Sequence, residues 1–270
     1  MNNFTLPATA WAITEPGLVK MLSGYKQAQS GLQISLEDFF TPRESMKVEQ
    51  GVAIIHVKGA LMDNAAPIHG KLEGTDYRQL RAEIAEAQTQ NVEGFIFKMD
   101  TPGGSVAGLA EVAQMISEIE QPTVAYADGL CCSAGYYLAA GCDAIMSSPS
   151  ATIGNIGTVL SWTDFSGVME KMGISTETIT NEGADLKGTF RENPMPEGQR
   201  QFLQDQSNQM GTEFQNFVTE HREVDAEVFR AGWYHGQAAL TLGLADAIGT
   251  FEQAFSELRA AIESPELKPA

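Results

Sequence analysis

The sequence predicts an α/β fold with a largely parallel central sheet and helices outside it. Apolar runs rich in β-branched residues alternate with segments of helical spacing from Gly51 onward. The helical segments separate successive strands at βαβ intervals, and glycine-containing turns follow two of the strands. In such sheets ligands gather at the carboxyl ends of the strands, so those turns are where chemistry is to be sought.

The strand series opens with Gly51–Leu61, GVAIIHVKGAL, an alternating run. Thr75–Gln90 follows with Leu80, Ile84 and Ala87 on one helical face and charges opposite. Gly94–Met99, GFIFKM, reads as a short buried strand feeding into Asp100-Thr101-Pro102-Gly103-Gly104. Val106–Ile119 is helical and Pro122–Asp128 is again a strand. Ser133–Gly141 opens the next helix, and Asp143–Ser148 returns as a strand. Ile174–Thr180 reads as a further strand, ahead of the polar loop EGADLKGTFRENPMPEGQ. A long helix is expected over Gly198–His221, with shorter ones at Ala226–Ala231 and Gly236–Leu242 and an amphipathic one over Phe251–Ile262. Residues 1–48 carry Pro7, Pro16 and Pro42 with weak periodicity; they read as an N-terminal extension with a short helix near Glu15–Tyr25. One domain is expected over 49–263 and a frayed tail over 264–270.

Thirty-five acidic against seventeen basic residues leave a formal charge of −18, which repels nucleic-acid phosphates and anionic lipid. Neither is expected as a partner. Cys131, Cys132 and Cys142 are odd in number and two are adjacent, a poor basis for a disulfide framework and a better fit to a reducing compartment. The first residues lack the basic start and apolar core of a signal peptide, and no stretch reaches the roughly 18 apolar residues of a membrane helix. A soluble, cytoplasmic protein is therefore expected.

Two turns hold candidate chemistry. In the first, Pro102 fixes its own backbone and Gly103 and Gly104 allow conformations closed to other residues, so amides can be aimed outward as an oxyanion hole requires. A plain structural turn has the same composition. In the second, Cys132-Ser133-Ala134-Gly135 sets a serine hydroxyl at the positive end of a helix. An ordinary N-cap serine would do the same. A serine nucleophile needs a base. His56 lies mid-strand, His69 in a loop, His221 at the end of a long helix and His235 after an aromatic pair, none at a short interval after Ser133. Lys187 is the other candidate base, with Leu186 and Phe190 placed to desolvate it and Thr189 to orient it; it also reads as a solvated loop lysine. Asp100, Asp128 and Asp143 are dispersed, so no metal or other cofactor is implied.

The segments DTPGGSV, CSAGYYLAAGCD, ATIGNIG and EGADLKGTFRENPMPE, in this order and spacing, resemble the signal peptide peptidase A family over roughly Val52 to Ile248. The resemblance implies a ClpP/crotonase-like spiral of ββα units and a serine endopeptidase with a Ser–Lys dyad. The family's nucleophile falls on Ser133, its general base on Lys187, and its oxyanion donors on Gly104 and Ala134, with Gly103 beside them. Gly135, Ile153 and Asn155 fall near the expected substrate path; the family usually has serine where this chain has Asn155. A protein or peptide substrate and a ring-like homo-oligomer are implied, with Trp233, Tyr234 and the C-terminal helices as contact surface. The membrane anchor of some members is missing from this sequence, and its overall look is closer to phage capsid-assembly proteases, which act on scaffold and portal proteins. A cytoplasmic peptidase acting on signal peptides or other peptides, a crotonase-type acyl-CoA enzyme and an inactive assembly scaffold are the rival readings.

Overall fold

The computed structural model describes residues 11–13, 46–63, 74–161, 166–175, 177, 179–187 and 195–264. The helix expected at Glu15–Tyr25 and most of the expected tail lie outside these residues. The strands are β1 (Trp11–Ile13), β2 (Lys47–Glu49), β3 (Val52–Lys58), β4 (Ala60–Met62), β5 (Gly74–Asp76), β6 (Gly94–Thr101), β7 (Gly103–Ser105) and β8 (Thr123–Cys132). They continue as β9 (Ala144–Ser147), β10 (Thr152–Gly154), β11 (Trp233–His235) and β12 (Ala247–Ile248). The α-helices are α1 (Tyr77–Thr89), α2 (Leu109–Ser117), α3 (Ala134–Ala140), α4 (Ser166–Lys171), α5 (Glu197–His221), α6 (Gly236–Thr241) and α7 (Phe251–Glu263).

The main sheet has eight strands in the order β11-β10-β8-β6-β3-β2, with β9 beside β8 and β12 beside β9. Its interior pairs, β3–β6, β6–β8, β8–β9 and β8–β10, are all parallel, while β2 and β11 close the two edges antiparallel. A smaller sheet runs β1-β7-β4-β5. The long strands β3 and β6 each hand over to short strands of the small sheet and then to a helix, giving ββα units. The α/β class with a largely parallel sheet is therefore what the chain forms.

Both faces of the main sheet are covered, which is why β3 and β6 are apolar almost throughout. One face packs against α1, α2 and α3 through Leu80, Ile84, Val112, Ile116 and Leu138. The other carries Ile54, Ile96 and Tyr126 against Ala254 and Leu258 of α7. Each fully buried side chain of this size contributes about 1.5–3 kcal/mol of transfer free energy. Local signals agree with the packing. The Asp76 carboxylate caps α1 by accepting from the Arg78 amide at 2.8 Å, and Thr250 with Gln253 forms a capping box on α7.

Two expectations change. The described residues of 174–180 form no strand and are exposed. Their apolar/polar alternation has the right period, but no neighbouring strand meets them, and unpaired strands are not stable in water. Ala226–Arg230 is a 3-10 helix, begun by the Asp225 cap and ended by Ala231 in a left-handed conformation. Trp233, expected on a contact surface, lies on edge strand β11 and is 59% exposed. Among the described residues no helix is long and apolar enough to cross a membrane.

Candidate active site

Strand β8 is the element that positions the site. Its first half pairs with β9 and its last three residues with β10, so it bends from one neighbour to the other. Against β6 its register slips: Met99 faces Ala127, but Thr101 faces Cys131. The surplus residues are held by Asp100, whose Oδ1 accepts from the Leu130 amide at 3.1 Å. Gly129 must be glycine there, because a Cβ would stand 2.5 Å from that same oxygen. The bulge delivers Cys132 and Ser133 to the end of the sheet beside the Asp100–Gly104 turn.

Ser133 sits between β8 and α3 with φ 54° and ψ −121°. For a non-glycine residue this backbone costs on the order of 1–3 kcal/mol and persists only where its surroundings enforce it. The enforcement is visible: the Ser133 amide donates to Gly154 O at 2.8 Å, and its carbonyl accepts the first helical bond from Tyr137 N at 2.9 Å. An N-cap serine would have extended backbone and a hydroxyl bonded to the first helical turn. Ser133 has neither; its Oγ makes no cap bond and its nearest acceptor is Gly157 O at 3.5 Å. The N-cap alternative is thus set aside. A strained serine on a strand–turn–helix junction is the geometry of a nucleophile elbow.

The two glycine turns are in direct contact through Thr101. Its Oγ1 donates to Gly59 O at 2.6 Å and accepts from Gly103 N at 3.1 Å. Its Cγ2 lies where a Cβ on Gly135 would come within 2.4 Å. The absence of a side chain at Gly135 is what lets the two turns touch. A Cβ on Gly104 would fall 1.9 Å from Leu61 O, so β4 passes too close for any side chain there. Of the two glycine amides, that of Gly103 is engaged by Thr101, while Gly104 lies on β7 between β4 and β1; the Gly104 and Ala134 amides are the donors the resemblance implies. Ala134 is the first residue of α3, and its N–H has no acceptor inside the helix.

The remaining predicted residues are placed as follows. Ile153 is fully buried in the main core. Asn155 adopts φ 57°, and its amide and Nδ2 donate to Gly232 O at 2.6 Å and Ala231 O at 2.9 Å, so its side chain fastens two loops. Asparagine tolerates that left-handed backbone better than most residues, the one signal the sequence offered. Lys187 closes a turn, its amide donating to Ala184 O at 3.0 Å, and its side chain is exposed, as is Leu186. Thr189 and Phe190 lie outside the described residues. His221 Nδ1 bonds Phe217 O at 2.8 Å, and His235 Nδ1 lies 3.2 Å from both Ala151 O and Thr152 Oγ1. His56 stands in register with Lys98 in mid-sheet, and His69 is outside the described residues. Beside Ser133, burial pushes the Cys132 thiol up to about 12 and the Cys131 thiol well above its ordinary value, so both remain protonated and poor nucleophiles. No cluster of three or more metal-ligating side chains occurs among the described residues.

Sequence comparison supplies the context for this elbow. Residues 116–264 match peptidase family S49, and residues 62–165 match the N-terminal domain of NfeD1b. The chain belongs to family S49. It is 30% identical over 186 residues to MJ0651 of Methanocaldococcus jannaschii, a protein named for protease likeness, covering 66% of this chain and 59% of that one. It is 28% identical over 234 residues to capsid assembly protease C of Escherichia phage lambda, covering 83% of this chain and 52% of that one. The chain thus spans between about half and three-fifths of the length of these relatives. Among solved structures, an enoyl-CoA hydratase from Shewanella pealeana is similar with a TM-score of 0.45 at 12% identity, covering 85% of this chain and 78% of that one. Within the S49 match lie Ser133 and Lys187; the Asp100–Gly104 turn precedes it and falls in the NfeD1b match.

Proposed function

We propose that the chain is a serine endopeptidase that hydrolyses peptide bonds in extended protein segments, with Ser133 as nucleophile and Lys187 as general base. The observation that carries the reading is the strained backbone of Ser133 at the end of β8, with no capping role for its hydroxyl. Family membership supports the reaction class. The neutral Lys187 amine takes the proton from Ser133 Oγ as that oxygen bonds to the scissile carbonyl carbon. The Gly104 and Ala134 amides donate to the resulting oxyanion, each worth roughly 3–4 kcal/mol in comparable sites. The Lys187 ammonium then protonates the departing amine as the C–N bond breaks, and water repeats the sequence on the acyl-enzyme. No metal or other cofactor takes part in these steps.

A lysine serves as a base where it is desolvated, so this chemistry requires Lys187 to be covered when the enzyme works. The surrounding segment displays Val168, Met169, Met172, Ile174 and Ile179, the last 86% exposed. An apolar face of this kind belongs against another surface, which supports a homo-oligomer, ring-like by resemblance, in which a second copy desolvates the base. We further propose that the substrates are scaffold, portal or capsid proteins, cut in the cytoplasm or inside a procapsid; the alignment with the phage lambda protease over most of this chain supports this.

The test uses fluorescein-labelled casein and a fluorophosphonate probe. Ser133→Ala abolishes both hydrolysis and labelling. Lys187→Ala lowers kcat/KM by at least 100-fold with unchanged circular dichroism, in line with loss of a general base. A Lys187→Ala protein retaining more than a few percent of activity refutes the dyad. Purified scaffold and portal proteins encoded beside the same gene should be cut at discrete sites by wild type and not by Ser133→Ala.

A further inference from the structure

Strand β7, the continuation of the Asp100–Gly104 turn, has two edges. One is taken by β4, with Leu61 in register with Gly104. The other is taken by β1: Trp11, Ala12 and Ile13 run antiparallel to it, opposite Ser105, Gly104 and Gly103 respectively. An extended peptide entering a site built on Gly104 and Ser133 would add itself as a strand to this second edge, since main-chain pairing is how sheet edges hold peptides. That edge already has an occupant from the chain itself.

The occupant has the chemistry such an edge accepts. A strand added to a sheet is held through backbone donors and acceptors, independent of side-chain identity, and three consecutive residues are paired in register. Apart from these residues, β7 is anchored rigidly: Tyr77 Oη donates to Ser105 O at 2.7 Å, and Thr101 ties down Gly103. The edge is therefore preformed, and what covers it decides whether a peptide in solution can reach it.

We propose that the N-terminal segment around Trp11–Ile13 is a built-in ligand of the substrate edge, masking it until the segment is displaced; this rests on the peptidase reading given above. Because the segment is covalently part of the same chain, it competes as an intramolecular ligand, at an advantage over any peptide free in solution. Weakly binding peptides are excluded, and protein substrates must displace the strand to be cut. Covering the edge also keeps β7 from pairing with other chains, the usual hazard of an open strand.

The experiment uses the full chain carrying Ala12→Pro or Ile13→Pro. Proline has no amide donor and fits badly inside a ladder. Because the donors of alternate residues point to the same neighbour, one of the two substitutions must strike a bond to β7. Hydrogen exchange is measured at Gly103–Ser105 in the Ser133→Ala background, so that turnover plays no part. Casein hydrolysis is measured in the active background. The expected result is an increase in exchange of at least tenfold at whichever of the Gly104 and Ser105 amides faces β1, the Gly103 amide being held by Thr101 Oγ1, with kcat/KM raised about tenfold. A synthetic peptide of sequence LPATAWAITEP should restore the inhibition competitively. Unchanged exchange in both variants overturns the proposal. Faster exchange with unchanged hydrolysis, where Ser133→Ala is inactive, overturns it too. Faster exchange in a protein whose every form lacks Ser133-dependent hydrolysis supports the strand pairing and sinks the peptidase reading instead.

Discussion

Gly135→Ala should destabilise the protein, and Thr101→Ser should reverse the sign of that effect. A Cβ on Gly135 would meet Thr101 Cγ2 at 2.4 Å, while the next atoms of Thr101, its carbonyl oxygen and Cβ, lie at 3.5 and 3.7 Å. Forcing an extra carbon into a packed site costs about 1–3 kcal/mol. Replacing glycine by alanine inside a helix gains about 1 kcal/mol. The sum in wild type is a loss of roughly 0–2 kcal/mol, centred near 1. Thr101→Ser removes the methyl and keeps Oγ1 with its bonds to Gly59 O at 2.6 Å and from Gly103 N at 3.1 Å. In that background the nearest atom is in ordinary contact, so Gly135→Ala should stabilise by up to about 1 kcal/mol, a coupling of about 2 kcal/mol. Urea unfolding of the four proteins, with slopes compared, measures the cycle. Catalysis should follow the same pattern. The displaced Thr101 turn carries the candidate oxyanion amide, and a misplacement of about 1 Å can cost 10²-fold in rate. Equal cost of Gly135→Ala in both backgrounds, within about 0.5 kcal/mol, would refute the claim that this contact couples the two turns.

Four of the eight strands of the main sheet, β3, β6, β8 and β9, were legible because they are largely buried apolar runs, whereas β2, β10, β11 and β12 are two or three residues long and too short to show a period. Failure came where period alone was the signal. Ile174–Thr180 alternates as a strand does, yet a strand needs a neighbour and sequence spacing names none. The turn glycines were legible as turns, but which amide each leaves available was not: Gly103 N–H is taken by Thr101 Oγ1, a bond set by tertiary packing. The packing partners of Gly135, Ile153 and Asn155 were likewise not legible: they lie against Thr101, in the core, and bonded to the Ala231–Gly232 loop. Asp100 was weighed only as a metal ligand; its part in fixing the β8 bulge depends on a register slip between strands that no local pattern encodes.

Two further outcomes follow from the packing around α3. Tyr137 stacks on Phe217 with ring centroids 4.4 Å apart, and burial, with Glu213, Glu220 and Glu111 adding to it, pushes its hydroxyl up to about 12. Folding thus favours the neutral phenol, so its contribution is intact below the unfolded value near 10 and is lost as pH rises toward 12. Urea midpoints should fall between pH 10 and 12, and fall less in Tyr137→Phe; equal slopes in the two proteins would contradict this. The last outcome concerns Ser133 itself. Ser133→Ala and Ser133→Gly both lack the proposed nucleophile and should be equally inactive, but they differ in backbone freedom. At φ 54° and ψ −121°, alanine retains a strain of about 1–3 kcal/mol that glycine relieves. Against this, glycine gives up roughly 0.5–1 kcal/mol more conformational entropy on folding. Ser133→Gly should therefore be the more stable of the two by about 1 kcal/mol, or roughly 2–4 °C in Tm for a domain of this size. A Ser133→Ala protein as stable as Ser133→Gly would mean that the junction bears no strain, and the feature separating this serine from an ordinary helix cap would be gone.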